Sequence, residues 1–135
     1  MLSGGLPQIF VSDMDRAVKF YTEVLGMKLE YRFGNHWASI RLGDLAIGLH
    51  PESAENPTGR KGSITIGFRV SEPIEDVVGK LEGKGVKFHG TIVEDRGGLK
   101  FIDFEDPDGN RLHLAEVKWS PAKASEAPEP AYQNA

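Results

Sequence analysis

The side chains in this sequence best suited to hydrogen-bond a ligand or move a proton are two histidines and an acid: His50, His113 and Asp103. An imidazole changes charge near neutral pH and offers two distinct ring nitrogens. Three arginines, Arg41, Arg69 and Arg111, carry planar guanidinium forks that match a carboxylate or carbonyl oxygen. Phe10 and Trp37 present faces on which a planar molecule can stack, while Gln8, Ser39 and Thr65 add neutral donors and acceptors. Phe101 completes the set. Of the remaining histidines, His36 falls beside a loop on the opposite parity and His89 on an exposed strand, so both read as structural. The chain has no cysteine, which excludes thiol catalysis, disulfides and sulfur-ligated metals. It also lacks a Gly-x-Ser-x-Gly elbow and a phosphate-binding loop.

These residues are grouped by strand alternation, because neighbours along a strand point to opposite faces. Strands are expected over Leu6 to Val11, Met27 to Phe33, His36 to Leu42, Leu45 to His50, Ser63 to Val70, Val86 to Val93, Lys100 to Phe104 and Arg111 to Val117. Gly43-Asp44 signals a hairpin, and Asp106-Pro107-Asp108-Gly109-Asn110 a tight turn rather than a calcium loop. The apolar sets Ile9/Val11, Ala38/Ile40/Leu42, Leu45/Ile47/Leu49, Ile64/Ile66/Phe68/Val70, Ile102/Phe104 and Leu112/Leu114 must face the helices. Everything else looks the other way: Gln8, Phe10, Trp37, Ser39, Arg41, Gly48, His50, Ser63, Thr65, Arg69, Phe101, Asp103, Arg111 and His113. Apolar walls with a few directed polar groups are what a small-molecule site requires. A solvated face or a protein contact is the plainer alternative.

Two helices must supply the other layer. Ser12 caps the first, whose apolar face is Ala17, Phe20, Tyr21, Val24 and Leu25 and whose stop is Gly26. Ser71 caps the second, with Ile74, Val77, Val78 and Leu81 on its inner face and Gly85 as its stop. Gly79 and Gly83 weaken that helix by ~1 kcal/mol each relative to Ala wherever they fall in its interior. Shifted by 59 positions, Val11, Ser12, Val18, Glu23, Gly26 and Lys28 fall on Val70, Ser71, Val77, Glu82, Gly85 and Lys87 without a gap. The sequence is therefore read as two copies of one unit.

The chain has 135 residues, enough for one compact domain, and its formal charge of −4 argues against a nucleic-acid partner. No apolar run reaches membrane-spanning length and no signal segment opens the chain. The expectation is a cytoplasmic protein with residues 1–5 flexible, a domain over 6–117, and a disordered tail over 118–135 that is rich in Pro, Ala, Glu and Ser. Within the domain, modules 6–50 and 63–117 are joined by a polar linker, 51–62.

The stretches Val11-Ser12-Asp13-Met14-Asp15-Arg16-Ala17-Val18-Lys19-Phe20-Tyr21, Leu25-Gly26-Met27 and Asp106-Pro107-Asp108-Gly109-Asn110-Arg111-Leu112-His113-Leu114 resemble the vicinal oxygen chelate superfamily. That superfamily includes glyoxalase I, bleomycin-resistance proteins and extradiol dioxygenases. The resemblance covers residues 6 to 117. It implies an α+β fold of two βαβββ modules in tandem, with curved mixed sheets around a cleft, helices on the outer face, and assembly as a homodimer. Metal-dependent members place ligands at positions that fall here on Leu6, Gly48, Thr65 and His113. Only His113 is a ready metal ligand, so the resemblance implies that the usual site is dismantled. A displaced site is the alternative: Gln8 and His50 each lie two residues beyond a lost position, and with His113 they could hold Zn, Ni, Mn or Fe.

The leading expectation is thus a protein that binds a small organic, anionic ligand without a metal cofactor. The alternative is a metal-dependent lyase or dioxygenase in which His50, His113 or Asp103 moves a proton.

Overall fold

In the computed structural model, residues 1, 3, 5–59, 65–95 and 98–117 are described. The expected positions of Ser63 and Ile64 in a strand, and of the tail over 118–135, lie outside these residues. The element order is β1 (Gln8–Val11), α1 (Met14–Lys19), a π-helical turn (Phe20–Val24), β2 (Lys28–Phe33), β3 (Trp37–Leu42) and β4 (Leu45–Pro51). A second series follows: β5 (Ile66–Arg69), α2 (Ile74–Gly83), β6 (Phe88–Glu94), β7 (Lys100–Glu105) and β8 (Arg111–Glu116).

Two four-stranded mixed sheets result, ordered β1-β4-β3-β2 and β5-β8-β7-β6. The repeat read from the sequence is therefore a repeat of topology. In each sheet the first strand runs parallel to the fourth, and the other pairs are antiparallel. Gly26 and Gly85 end the two helices with φ of 79° and 86°, a conformation that costs a residue bearing Cβ.

The chain divides into two compact units: residues 1–62 with 106–110, and residues 63–105 with 111–135. In the first unit Ile9, Val11, Ala38, Ile40, Ile47 and Leu49 form the buried side of the sheet, against Met14, Ala17, Val18 and Tyr21. In the second, Phe68, Ile102, Phe104, Leu112 and Leu114 are buried with Ile74 and Leu81 of α2. Burying each large aliphatic or aromatic side chain contributes roughly 1.5–3 kcal/mol.

Several local expectations are corrected. Asp13, not Ser12, caps α1 by accepting from the Arg16 N–H. The Ser12 hydroxyl donates to the Asp108 carboxylate, and its oxygen accepts from the Arg16 guanidinium at 2.8 Å rather than from a helix N–H. The residue before α2 is Pro73, which has no capping side chain, and Ser71 plays no such part. The Ile74 N–H is satisfied instead by Glu116 Oε1 at 2.9 Å. The first helix does not stay α-helical: it widens at Phe20–Val24, leaving Phe20, Val24 and Leu25 only half-buried. Leu42 is 40% exposed where β3 runs out into the Gly43-Asp44 turn. Strand ends also differ: β1 starts at Gln8 and Thr65 precedes β5, while β4 and β7 each run one residue further than read, to Pro51 and Glu105.

Candidate functional site

The register fixes which residues share a face, because directly opposed residues point the same way. In the first unit Phe33 opposes Trp37, and Phe10 opposes His50. Ala38 opposes Leu49, which places Trp37 and His50 next in register. One ring from each strand thus forms a single row across the sheet, Phe33–Trp37–His50–Phe10, on the side away from α1. Ring centroids lie 6.5 Å apart for Trp37 and His50 and 5.8 Å for Phe10 and His50, both edge-on. The adjacent row is Tyr31–Ser39–Gly48–Gln8.

Gly48 explains where the indole of the row sits. A Cβ there would collide with Trp37 Cη2 and stand 2.6 Å from Trp37 Cζ2 and 2.9 Å from Leu6 Cδ1. The indole occupies the space that any other residue at this position would need. Nearby, His50 Nδ1 is 2.8 Å from the Pro51 carbonyl oxygen. A carbonyl can only accept, so Nδ1 carries the proton and Nε2 is the open acceptor. Ser39 is buried and donates to Glu30 at 3.3 Å, and Arg41 donates to the same carboxylate at 3.0 Å. The Arg41 bond is the main reason the Glu30 carboxyl lies below its ordinary range.

The second sheet carries different chemistry on its equivalent face. His89 opposes Asp103, Asp103 opposes His113, and His113 opposes Gly67. The His113 ring lies over Gly67, whose Cβ would come within 2.7 Å of His113 Cε1. Asp103 Oδ2 is engaged by Arg111 at 3.0 Å, and His89 Nε2 is 3.0 Å from Glu105 Oε2. Phe101 and Arg69 both oppose Ala115 and share this face. The Thr65 hydroxyl donates to the Arg111 carbonyl at 2.8 Å.

Each expected residue can now be placed. Gln8, Phe10, Trp37, Ser39, Arg41 and His50 gather on the first sheet; Arg69, Phe101, Asp103, Arg111 and His113 gather on the second, with Thr65 just before its first strand. Arg41 is matched by Glu30 and Arg111 by Asp103. His89, expected on an exposed strand, is half-buried and paired with Glu105. His36 lies in the exposed turn after β2. The sequence reading missed Tyr31 and Phe33, which are 49% and 65% exposed with their rings 5.5 Å apart. Their alternation within Tyr31-Arg32-Phe33 was the available signal.

Of the four residues at the resemblance's metal positions, all but His113 are poor ligands. Leu6 has no donor, Gly48 lies under an indole, and the Thr65 hydroxyl is committed to a backbone carbonyl. Among the described residues, no three His, Cys, Asp or Glu side chains cluster to hold an ion. A recess of about 250 Å3 lies away from the ring row, lined by Val11, Ser12, Asp13, Met14, Asp15, Asn35 and Pro51. The carboxylate of Asp15 there is engaged by Arg32.

Comparison with known proteins agrees with this architecture. A virulence protein of Salmonella typhimurium, STM3117, is 31% identical over 113 residues, spanning 78% of each chain. Its crystal structure superposes with a TM-score of 0.67 at 26% identity, covering 87% of this chain and 99% of that one. The glutathione transferase FosA of Serratia marcescens is 31% identical over 107 residues, spanning 77% of this chain and 73% of FosA. Residues 5–114 match the profile of one family, and the chain belongs to it: the Glyoxalase/Bleomycin resistance protein/Dioxygenase superfamily.

Proposed function

We propose that this protein binds a small, flat organic molecule against Trp37 and His50 on the first sheet, without the metal centre of its family. Membership alone does not choose a reaction, since relatives range from a glutathione transferase to a virulence protein and function resides in the site. The observation that carries the reading is the Trp37 indole seated on Gly48. It puts an apolar surface where a metal ligand would stand, and rings recognise rings by stacking. His50 Nε2, with its proton fixed on Nδ1, accepts a hydrogen bond from a ligand hydroxyl or amide.

The test is binding of 4-phenylphenol to protein treated with EDTA, followed by tryptophan fluorescence in a Trp119→Phe background, because the chain has two tryptophans. Saturable quenching supports the reading when calorimetry gives the same affinity and the calorimetric binding is lost in Trp37→Ala. Binding that needs added metal, or a calorimetric signal that survives Trp37→Ala, sinks it.

One observation favours a second reading. The fixed tautomer of His50 leaves Nε2 as a lone-pair donor, as in histidines that bind metals. A displaced metal site that includes Gln8 and His50 would use it, with a lyase or dioxygenase activity. Near-stoichiometric Zn, Ni, Mn or Fe in protein purified without chelators, lost in His50→Ala, would establish that reading instead.

A further inference from the structure

We infer that the binding strip extends past Trp37 to the open edge of the first sheet, and that Phe33 selects elongated, uncharged aromatic ligands. The inference rests on the reading above and adds a length and a charge to it.

Length comes from the register. The ring row crosses all four strands, from Phe10 on β1 to Phe33 on β2. Four strands have three spacings of ~4.8 Å, so the row measures roughly 14 Å. That is the span of about three rings joined end to end. Phe33 is 65% exposed at the outer end, so nothing in its own unit covers it, and Tyr31 stands 5.5 Å away on the same face. An edge strand of a soluble protein usually carries charge rather than two adjacent exposed rings.

Charge comes from the composition of the two rows. Phe33, Trp37, His50 and Phe10 contain no acid, lysine or arginine, and neither do Tyr31, Ser39, Gly48 and Gln8 beside them. The Glu30 carboxylate reaches Ser39 of the second row at 3.3 Å, but it is paired there with Arg41 at 3.0 Å, so the two charges cancel. The matching occupant has apolar ring faces, with neutral hydroxyl or carbonyl groups along the edge nearest Gln8 and Tyr31. This departs from the anionic ligand expected from the arginines.

The experiment compares phenol, 4-phenylphenol and 4-hydroxy-p-terphenyl, with biphenyl-4-carboxylate as the charged control. All are titrated into EDTA-treated protein carrying Trp119→Phe, alone and with Phe33→Ala added. The exposure of Phe33 makes the substitution safe for folding, which circular dichroism checks. Affinity is expected to rise about 3- to 10-fold with each added ring. Phe33→Ala should remove the gain of the third ring while leaving phenol unchanged. Equal affinities along the series, a uniform loss with Phe33→Ala, or tighter binding of the carboxylate would each overturn the inference while leaving the parent reading intact. If no member of the series binds, the parent reading itself fails and this inference falls with it.

Discussion

The Asp106 carboxylate is buried, yet it is met by four donors: Tyr21 Oη and Asn110 Nδ2 at 2.8 Å on one oxygen, and the N–H groups of Asp108 and Asn110 at 2.9 and 2.8 Å on the other. Burial still holds its carboxyl above the ordinary 3.8, because desolvation outweighs the bonds that pull it down. Burial first, then the neighbouring carboxylate, pushes the Tyr21 hydroxyl well above 10.0. The sign is the same for both groups. The folded state keeps the proton longer than the unfolded chain, so stability is lost as pH rises through the unfolded value toward the folded one. For Tyr21 that window opens above about pH 10. Tyr21→Phe is therefore expected to flatten the alkaline arm of a melting-temperature profile. At pH 7 it should cost about 1.5–3 kcal/mol in urea unfolding, for a lost bond to a charged acceptor. The sequence gives Tyr21 as one more apolar residue on a helix face. Its partner stands 85 positions away, and no local pattern reports a pairing at that distance. Gly48 is similarly silent in sequence. Gly48→Ala should cost about 1–3 kcal/mol by overpacking and shift the Trp37 emission, since the indole must leave its seat.

Secondary-structure elements were more legible than individual contacts. Helix stops at Gly26 and Gly85, the Gly43-Asp44 turn and the alternating faces of β3, β4, β7 and β8 all follow from patterns a few residues long. The cap of α2 did not, because its acceptor comes from Glu116, on a strand 42 positions later. Glu116→Ala should therefore cost about 0.5–2 kcal/mol, the usual value of a lost cap, measured by denaturant unfolding. The aromatic edge on β2 escaped because the register shifts between Leu29 and Tyr31, so the face that Tyr31 and Phe33 share does not follow from counting in twos from Leu29. Gly79 was read correctly as a weak point: it lies inside α2, and a Cβ there would meet nothing within 4 Å. Gly79→Ala is expected to stabilise the protein by about 1 kcal/mol, raising the midpoint of urea unfolding without changing its slope.

For the molecule as a whole, repeated sequence yields repeated topology but not repeated chemistry. One sheet presents a row of rings that includes His50, with a single arginine–acid pair further along, and the other presents two histidines with Asp103, held by Arg111, between them. The shared features are those that build strands and helices, and the divergent ones sit on the faces turned from the helices, where folding constrains little. If the ring row performs the binding, removal of metals should leave the melting temperature unchanged, and ligand should still raise it after EDTA treatment. A fall on chelation, reversed by one added ion, would point to the displaced site instead.

The turn at 106–110 adds a consequence for synthesis. It lies between two strands of the second unit, yet it belongs to the first, where it satisfies the Tyr21 hydroxyl, the Phe10 carbonyl and the Arg16 guanidinium. The ribosome makes Tyr21 85 residues before Asp106, and Arg16 92 residues before Asp108. Until the turn is made the amino-terminal unit lacks these two carboxylates, so it completes its own polar contacts only after most of the second unit's strands have been synthesised.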